Sequence, residues 1–263
     1  VDKKYQRALD AQEPYIPSGT MSYIKACWYG EFGGGKTVLA AKMIRRRGLF
    51  IVNDENWIVL KDWPELFDKI ELVEYAGPSH LKALGLAKQE DHPRYREFDL
   101  FCIDTMSQSN DNYLDFLIDN YTPSSPKLRD SLNPKAGTGL QAIQTPGMPD
   151  YHLSALGFRP AIEELTKAPV DVIYNCHLRI PGPMAEDNDQ AWRPALSKAV
   201  YLSLGRRIQL MGFMERKRRG AISPTISFEG SPSRIAKSQI RALDGKKFED
   251  ADEVVKIINE WRS

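Results

Sequence analysis

A chain of 263 residues with 42% hydrophobic content and 17 prolines fits one α/β domain with decorations better than two independent domains. The formal charge of +1 sets up no global positive field, so any contact with nucleic acid has to come from local patches. No apolar stretch reaches the roughly 20 residues needed to span a bilayer, and the polar opening Val1-Asp2-Lys3-Lys4 is unlike a signal peptide, so no membrane contact and a cytoplasmic location are expected. The three cysteines, Cys27, Cys102 and Cys176, lie inside apolar runs at no disulfide or zinc spacing, as in a reducing compartment. A first residue other than methionine reads as a trimmed start.

In chain order, residues 1–20 read as an N-terminal extension ahead of a single domain over 21–263. Tyr23 to Tyr29 is an apolar run that leads into a glycine cluster. The helix expected over Thr37 to Arg47 has apolar spacing at Ala40, Met43 and Ile44 and is closed by Gly48. A second run, Leu49 to Val52, ends in Asn53-Asp54-Glu55, and a third, Leu100 to Ile103, ends in Asp104. A helix follows from about Asn112 to Tyr121. Thr122 to Asp150 is rich in Pro, Ser and Gly and longer than the roughly 12 to 15 residues of a plain connection, which marks it as mobile or functional.

Helical pattern resumes near Pro160 to Lys167 and enters a fourth run, Val170 to Asn175, which ends in Cys176-His177. An irregular loop spans about 179–197. Arg207 to Phe213, Thr225 to Phe228 and Ser238 to Ala242 read as late antiparallel strands. The C-terminal helix, about 250–262, carries Val254, Ile257, Ile258 and Trp261 at helical spacing, which reads Trp261 as core. Short apolar runs alternating with helices predict a mostly parallel, twisted sheet flanked by helices. In such a sheet, ligands gather at the carboxyl ends of the strands.

Gly30-Glu31-Phe32-Gly33-Gly34-Gly35-Lys36-Thr37 matches G-x-x-x-x-G-K-[ST] between a predicted strand and a predicted helix. The glycines Gly30, Gly33, Gly34 and Gly35 let backbone N–H groups close around phosphates, Lys36 neutralises phosphate oxygens, Thr37 offers a hydroxyl to magnesium, and Val38 is the last of the expected nucleotide-binding positions. The plain alternative, a glycine-rich turn before a helix, does not account for the Lys-Thr pair. Asp104, at the end of the third strand, is placed to reach the same metal. Glu55 is the candidate to align the attacking water, with Asp54 as rival and a simple turn acid as the alternative to both. His177, or Asn175 beside it, is the candidate γ-phosphate sensor; a satisfied structural histidine is the alternative. The expected cofactors are ATP and Mg2+.

The P-loop, the acid after the second strand, Ile-Asp-Thr after the third and Asn-Cys-His after the fourth together resemble RecA-like P-loop ATPases. Nearest are the phage Sak4-like single-strand annealing ATPases, also described as phage AAA-type ATPase domains; the likeness covers about Tyr23 to Arg241. The resemblance implies that Glu55 activates water and that His177, where RecA carries glutamine, senses the γ-phosphate. It also implies a homo-oligomer, ring or filament, that hydrolyses ATP between subunits while acting on single-stranded DNA in recombination or replication. Lys237 and Arg241 are then the candidates to reach a neighbouring subunit's site, with Arg216 to Arg219 as rivals.

Two DNA-contacting loops are implied within 122–150 and 179–197. Lys127, Arg129, Lys135, Arg179, Trp192, Arg193 and Lys198 supply basic and aromatic character there, suited to single strands, while Glu186, Asp187 and Asp189 oppose it. A single-strand DNA-binding protein is a possible partner, and a phage-encoded chain would work in the host cytoplasm. The competing functions are a DNA packaging or translocation motor, a small-molecule kinase and a nucleotide-gated scaffold.

Overall fold

The computed structural model describes residues 23–120, 148–181, 191–216 and 224–262. The N-terminal extension, nearly all of the first long loop and residues 182–190 of the second lie outside the described residues, and so do Lys127, Arg129, Lys135, Glu186, Asp187, Asp189 and Lys217 to Arg219. The elements are β1 (Lys25–Gly30), α1 (Lys36–Lys42), β2 (Gly48–Val52), a 3-10 helix (Glu55–Asp62), α2 (Pro64–Phe67), β3 (Ile70–Glu74), α3 (Pro78–Gln89) and β4 (Leu100–Asp104). Then come α4 (Met106–Asn120), α5 (Met148–Lys167), β5 (Asp171–Arg179), β6 (Arg193–Pro194), α6 (Lys198–Gly205), β7 (Leu210–Glu215), β8 (Thr225–Ser227), β9 (Lys237–Ser238), β10 (Lys247–Phe248) and α7 (Ala251–Arg262).

The fold is mixed α/β around a ten-stranded sheet in the order β10-β8-β7-β1-β5-β4-β2-β3, with β6 beside β5 and β9 beside β7. From β7 to β3 every neighbouring pair is parallel. Helices cover both faces, which is why the central strands read as continuous apolar runs rather than alternating ones. Cys27, Tyr29, Phe101, Val172 and Tyr174 face one layer with residues of α3, α5 and α6. Ala26, Trp28, Phe50, Cys102 and Ile173 face the other with residues of α1 and α7. The three cysteines are free and buried, and among the described residues no helix is long and apolar enough to cross a membrane.

Several expected boundaries move, each for a tertiary reason. The first helix stops at Lys42 rather than Arg47. Beyond it the backbone N–H of Arg46 donates to Asp99 Oδ2 at 2.7 Å, and Asp99 N–H donates to Arg47 O at 3.0 Å, so the arginine run is drawn to the foot of β4 instead of continuing a helix. The helix after β4 starts at Met106, not near Asn112, because its polar first turn is buried and hydrogen-bonded: Ser109 Oγ donates to Thr105 O and accepts from Asn53 Nδ2. Likewise α5 begins at Met148 and runs through Pro160.

Two expectations are corrected. The strand expected at Arg207 to Phe213 forms as β7, and it runs parallel to β1, with α6 supplying the connection; β8 and β9 are the strands that pair antiparallel with β7. Trp261 is 41% exposed, while Val254, Ile258 and Arg262 are buried. The buried stripe of α7 passes through Arg262 because Arg262 Nη2 meets Asp171 Oδ2 at 2.5 Å at the foot of β5, and that contact turns the neighbouring indole outward.

Candidate functional site

Parallel register brings the carboxyl ends of five strands level. Gly30 aligns with both His177 and Met214, and Asp104 aligns with Val52 and Asn175. The glycine loop leaves β1 at this edge and turns into α1. Gly33 and Gly35 adopt φ of 68° and 79°, a region costly for any residue with a Cβ. At Gly30 the limit is space: a Cβ would fall 1.9 Å from the Met214 carbonyl oxygen. The glycine pattern is thus required by the backbone path and by β7 pressed against it.

Lys36 is buried and donates to the carbonyls of Gly30 at 3.2 Å and Glu31 at 2.8 Å. Burial pushes its ammonium pKa down, opposed most by Asp104. A desolvated cation whose hydrogen bonds go to carbonyl oxygens is a place where an anion is favoured. One turn into the site, Thr37 Oγ1 donates to Asp104 Oδ2 at 2.7 Å, and Asn175 Nδ2 donates to Asp104 Oδ1 at 3.1 Å. Burial raises the Asp104 carboxyl, an effect the Thr37 and Asn175 hydrogen bonds oppose. Asn175 is wholly buried, so it orients the carboxylate.

His177 is half-buried. Its backbone N–H donates to Ser107 Oγ at 3.0 Å, its Nε2 stands 3.4 Å from Thr105 Oγ1, and its ring lies under Phe32 with centroids 4.3 Å apart. Burial, then the Lys36 charge, holds the imidazole below its ordinary value, while Asp54 acts in the opposite sense. A cleft of about 200 Å³ is lined by Phe32 and the glycine loop through Val38, by Asn56 and Val59 of the 3-10 helix, and by Asp104, Thr105 and His177. Phe32 is 72% exposed at its rim.

Of the two acids after β2, Glu55 is exposed and is not among the residues lining the cleft. Asp54 caps the 3-10 helix by accepting from Asn56 N at 3.0 Å, and its charge acts on both Asp104 and His177. Thr105 and Ser107 follow Asp104 within one and three positions, and Phe32 fills a variable position of the glycine motif, where sequence alone attaches no role.

The remaining candidates are dispersed. Lys237 pairs with Met211 at the amino end of β7, away from Gly30, and its Nζ donates to Gly205 O at 2.6 Å; Arg241 is exposed. Arg179 is exposed at the end of β5. Trp192 is 38% exposed and tilts against Phe213 at 5.7 Å, and its backbone is fixed to Ser233 and Ile235. Arg193 is 4% exposed, with its guanidinium 5.2 Å from the Tyr201 ring centroid, so it serves the interior rather than a surface. Arg216, by contrast, lies beside the glycine loop, its Nη1 3.5 Å from the point a Gly33 Cβ would occupy. The chain matches no protein-family model and no curated protein.

Proposed function

We propose that the chain is a RecA-like P-loop ATPase, related to the phage Sak4-like single-strand annealing group, that hydrolyses ATP with Mg2+ while acting on single-stranded DNA as a homo-oligomer. The observation that carries this is the meeting of Lys36, Thr37 and Asp104 in one cleft at the carboxyl edge of the sheet, with Thr37 Oγ1 2.7 Å from Asp104 Oδ2. Backbone N–H groups of Gly33 to Thr37 and the Lys36 ammonium suit a polyphosphate tail.

The donor set also fits magnesium, which takes hard oxygen ligands and is commonly held by one or two carboxylates together with phosphate oxygens. Thr37 and Asp104 are the residues that would hold it, and when bound it would neutralise phosphate charge. Asp104 is the carboxylate that lines the cleft beside Thr37. Asn175 keeps Asp104 in position, His177 and Thr105 face the cleft as a neutral polar pair suited to sensing an added phosphoryl group, and Asp54 or Glu55 aligns water from the neighbouring strand end.

Phosphate release with magnesium and ATP, measured alone and with single-stranded or duplex DNA, tests the whole proposal. Turnover stimulated by single strands is expected. A folded chain without turnover, or one stimulated only by duplex, would replace it with a scaffold or a translocation motor respectively.

A further inference from the structure

Gly30, Gly34 and Gly35 pack against the end of β7 and the start of β8, while Gly33 is exposed. Besides the approach of Met214 O to Gly30, a Cβ at Gly34 would stand 3.6 Å from the same oxygen, and one at Gly35 would stand 2.9 Å from Pro224 Cγ. Arg216 is the next residue after β7, so this packing fixes where its backbone emerges. Its guanidinium reaches Gly33 of its own chain. Arg216 is exposed, and among the described residues no carboxylate lies within ion-pair distance of it.

From this placement we infer that Arg216 is a phosphate ligand acting in cis: its guanidinium binds the polyphosphate tail of a nucleotide held in the same chain's glycine loop. The inference rests on the nucleotide site proposed above. Among the described residues Lys36 is the one lysine or arginine lining the cleft, and a polyphosphate carries several negative charges; a second cation at Gly33 answers that mismatch. The guanidinium fork matches phosphate oxygens two at a time, which an ammonium does not. This gives Arg216 a role within its own chain rather than the neighbouring-subunit contact for which it was a rival candidate, since it lies beside Gly33 of that chain.

The test uses calorimetric titration with magnesium–ATP and with inorganic tripolyphosphate, at dilutions where sedimentation shows monomer. Arg216→Ala is expected to weaken both ligands about tenfold, with Arg216→Lys in between. Lys36→Ala, as the reference, loses binding. Mixing Arg216→Ala with Lys36→Ala chains then separates cis from trans: in cis every site keeps its own defect, so turnover at sub-saturating ATP does not rise above that of Arg216→Ala alone. Wild-type affinity in Arg216→Ala, or turnover restored by mixing, overturns the inference while leaving the nucleotide site intact. A wild-type chain that binds neither ligand removes the nucleotide site itself.

Discussion

Thr37 Oγ1 donates to Asp104 Oδ2 across 2.7 Å, joining the first turn of α1 to the last residue of β4. The two oxygens are therefore prepositioned on one side of the cleft, and Asn175 restrains the carboxylate from behind. Asp104→Asn should remove most of the magnesium dependence of ATP binding, lowering the ratio of affinities with and without the metal by about tenfold, as expected for loss of a charged ligand. Calorimetry in magnesium and in chelator measures that ratio. An unchanged ratio would release Asp104 from the metal role.

His177 stands between Phe32 and Thr105, with its pKa depressed chiefly by burial and by Lys36. It is therefore neutral at pH 7 and offers a hydrogen bond rather than a charge. His177→Ala should keep ATP affinity within about threefold and lower turnover by about two orders of magnitude, the pattern of a contact made in the transition state. Single-turnover kinetics distinguishes this from a binding defect, which would lower affinity instead.

Lys25 sits at the opposite end of β1, where its Nζ donates to the carbonyls of Ala168 and Val170. Burial lowers its pKa from 10.5 to about 7, with Asp171 opposing. Between those values the unfolded chain binds the extra proton and the folded chain does not, so the Lys25 contribution makes stability rise with pH from about 7 toward 10.5. Urea unfolding across that range, compared with Lys25→Met, should show the rise in the native chain and a flatter profile in the variant. Equal profiles would mean that Lys25 keeps its charge in the folded state.

The contrast between Trp261 and Arg262 gives a stability test. Arg262→Ala leaves the fully buried Asp171 short of its principal cation and should cost about 3 kcal/mol. Trp261→Ala, at a 41% exposed position, should cost less than about 1 kcal/mol. Denaturant midpoints measure both, and a reversed order would contradict the docking of α7.

The parallel core was legible because strands buried on both faces leave unbroken apolar runs, and the loop because Gly33 and Gly35 need positive φ while Gly30 has no space for a Cβ. Elements held by polar burial were not. The first turn of α4 hides Ser109 and Asn110, which a hydropathy pattern assigns to solvent. The edge elements β3 and α3 carry weaker patterns, and the parallel setting of β7 depends on the connection through α6. At the site, Lys36, Thr37 and Asp104 converge as spacing implied, whereas Asn175 turning toward Asp104 and Arg216 lying on the glycine loop follow from register, which sequence alone does not state.

The central claim, a triphosphate bound through Lys36, is tested most directly by magnesium–ATP titration of the native chain and of Lys36→Ala, with thermal unfolding followed in parallel. Saturable binding by the native chain that raises its melting temperature is expected, with no binding by a variant that still unfolds cooperatively. Equal ATP affinity in the native chain and a folded Lys36→Ala would contradict it.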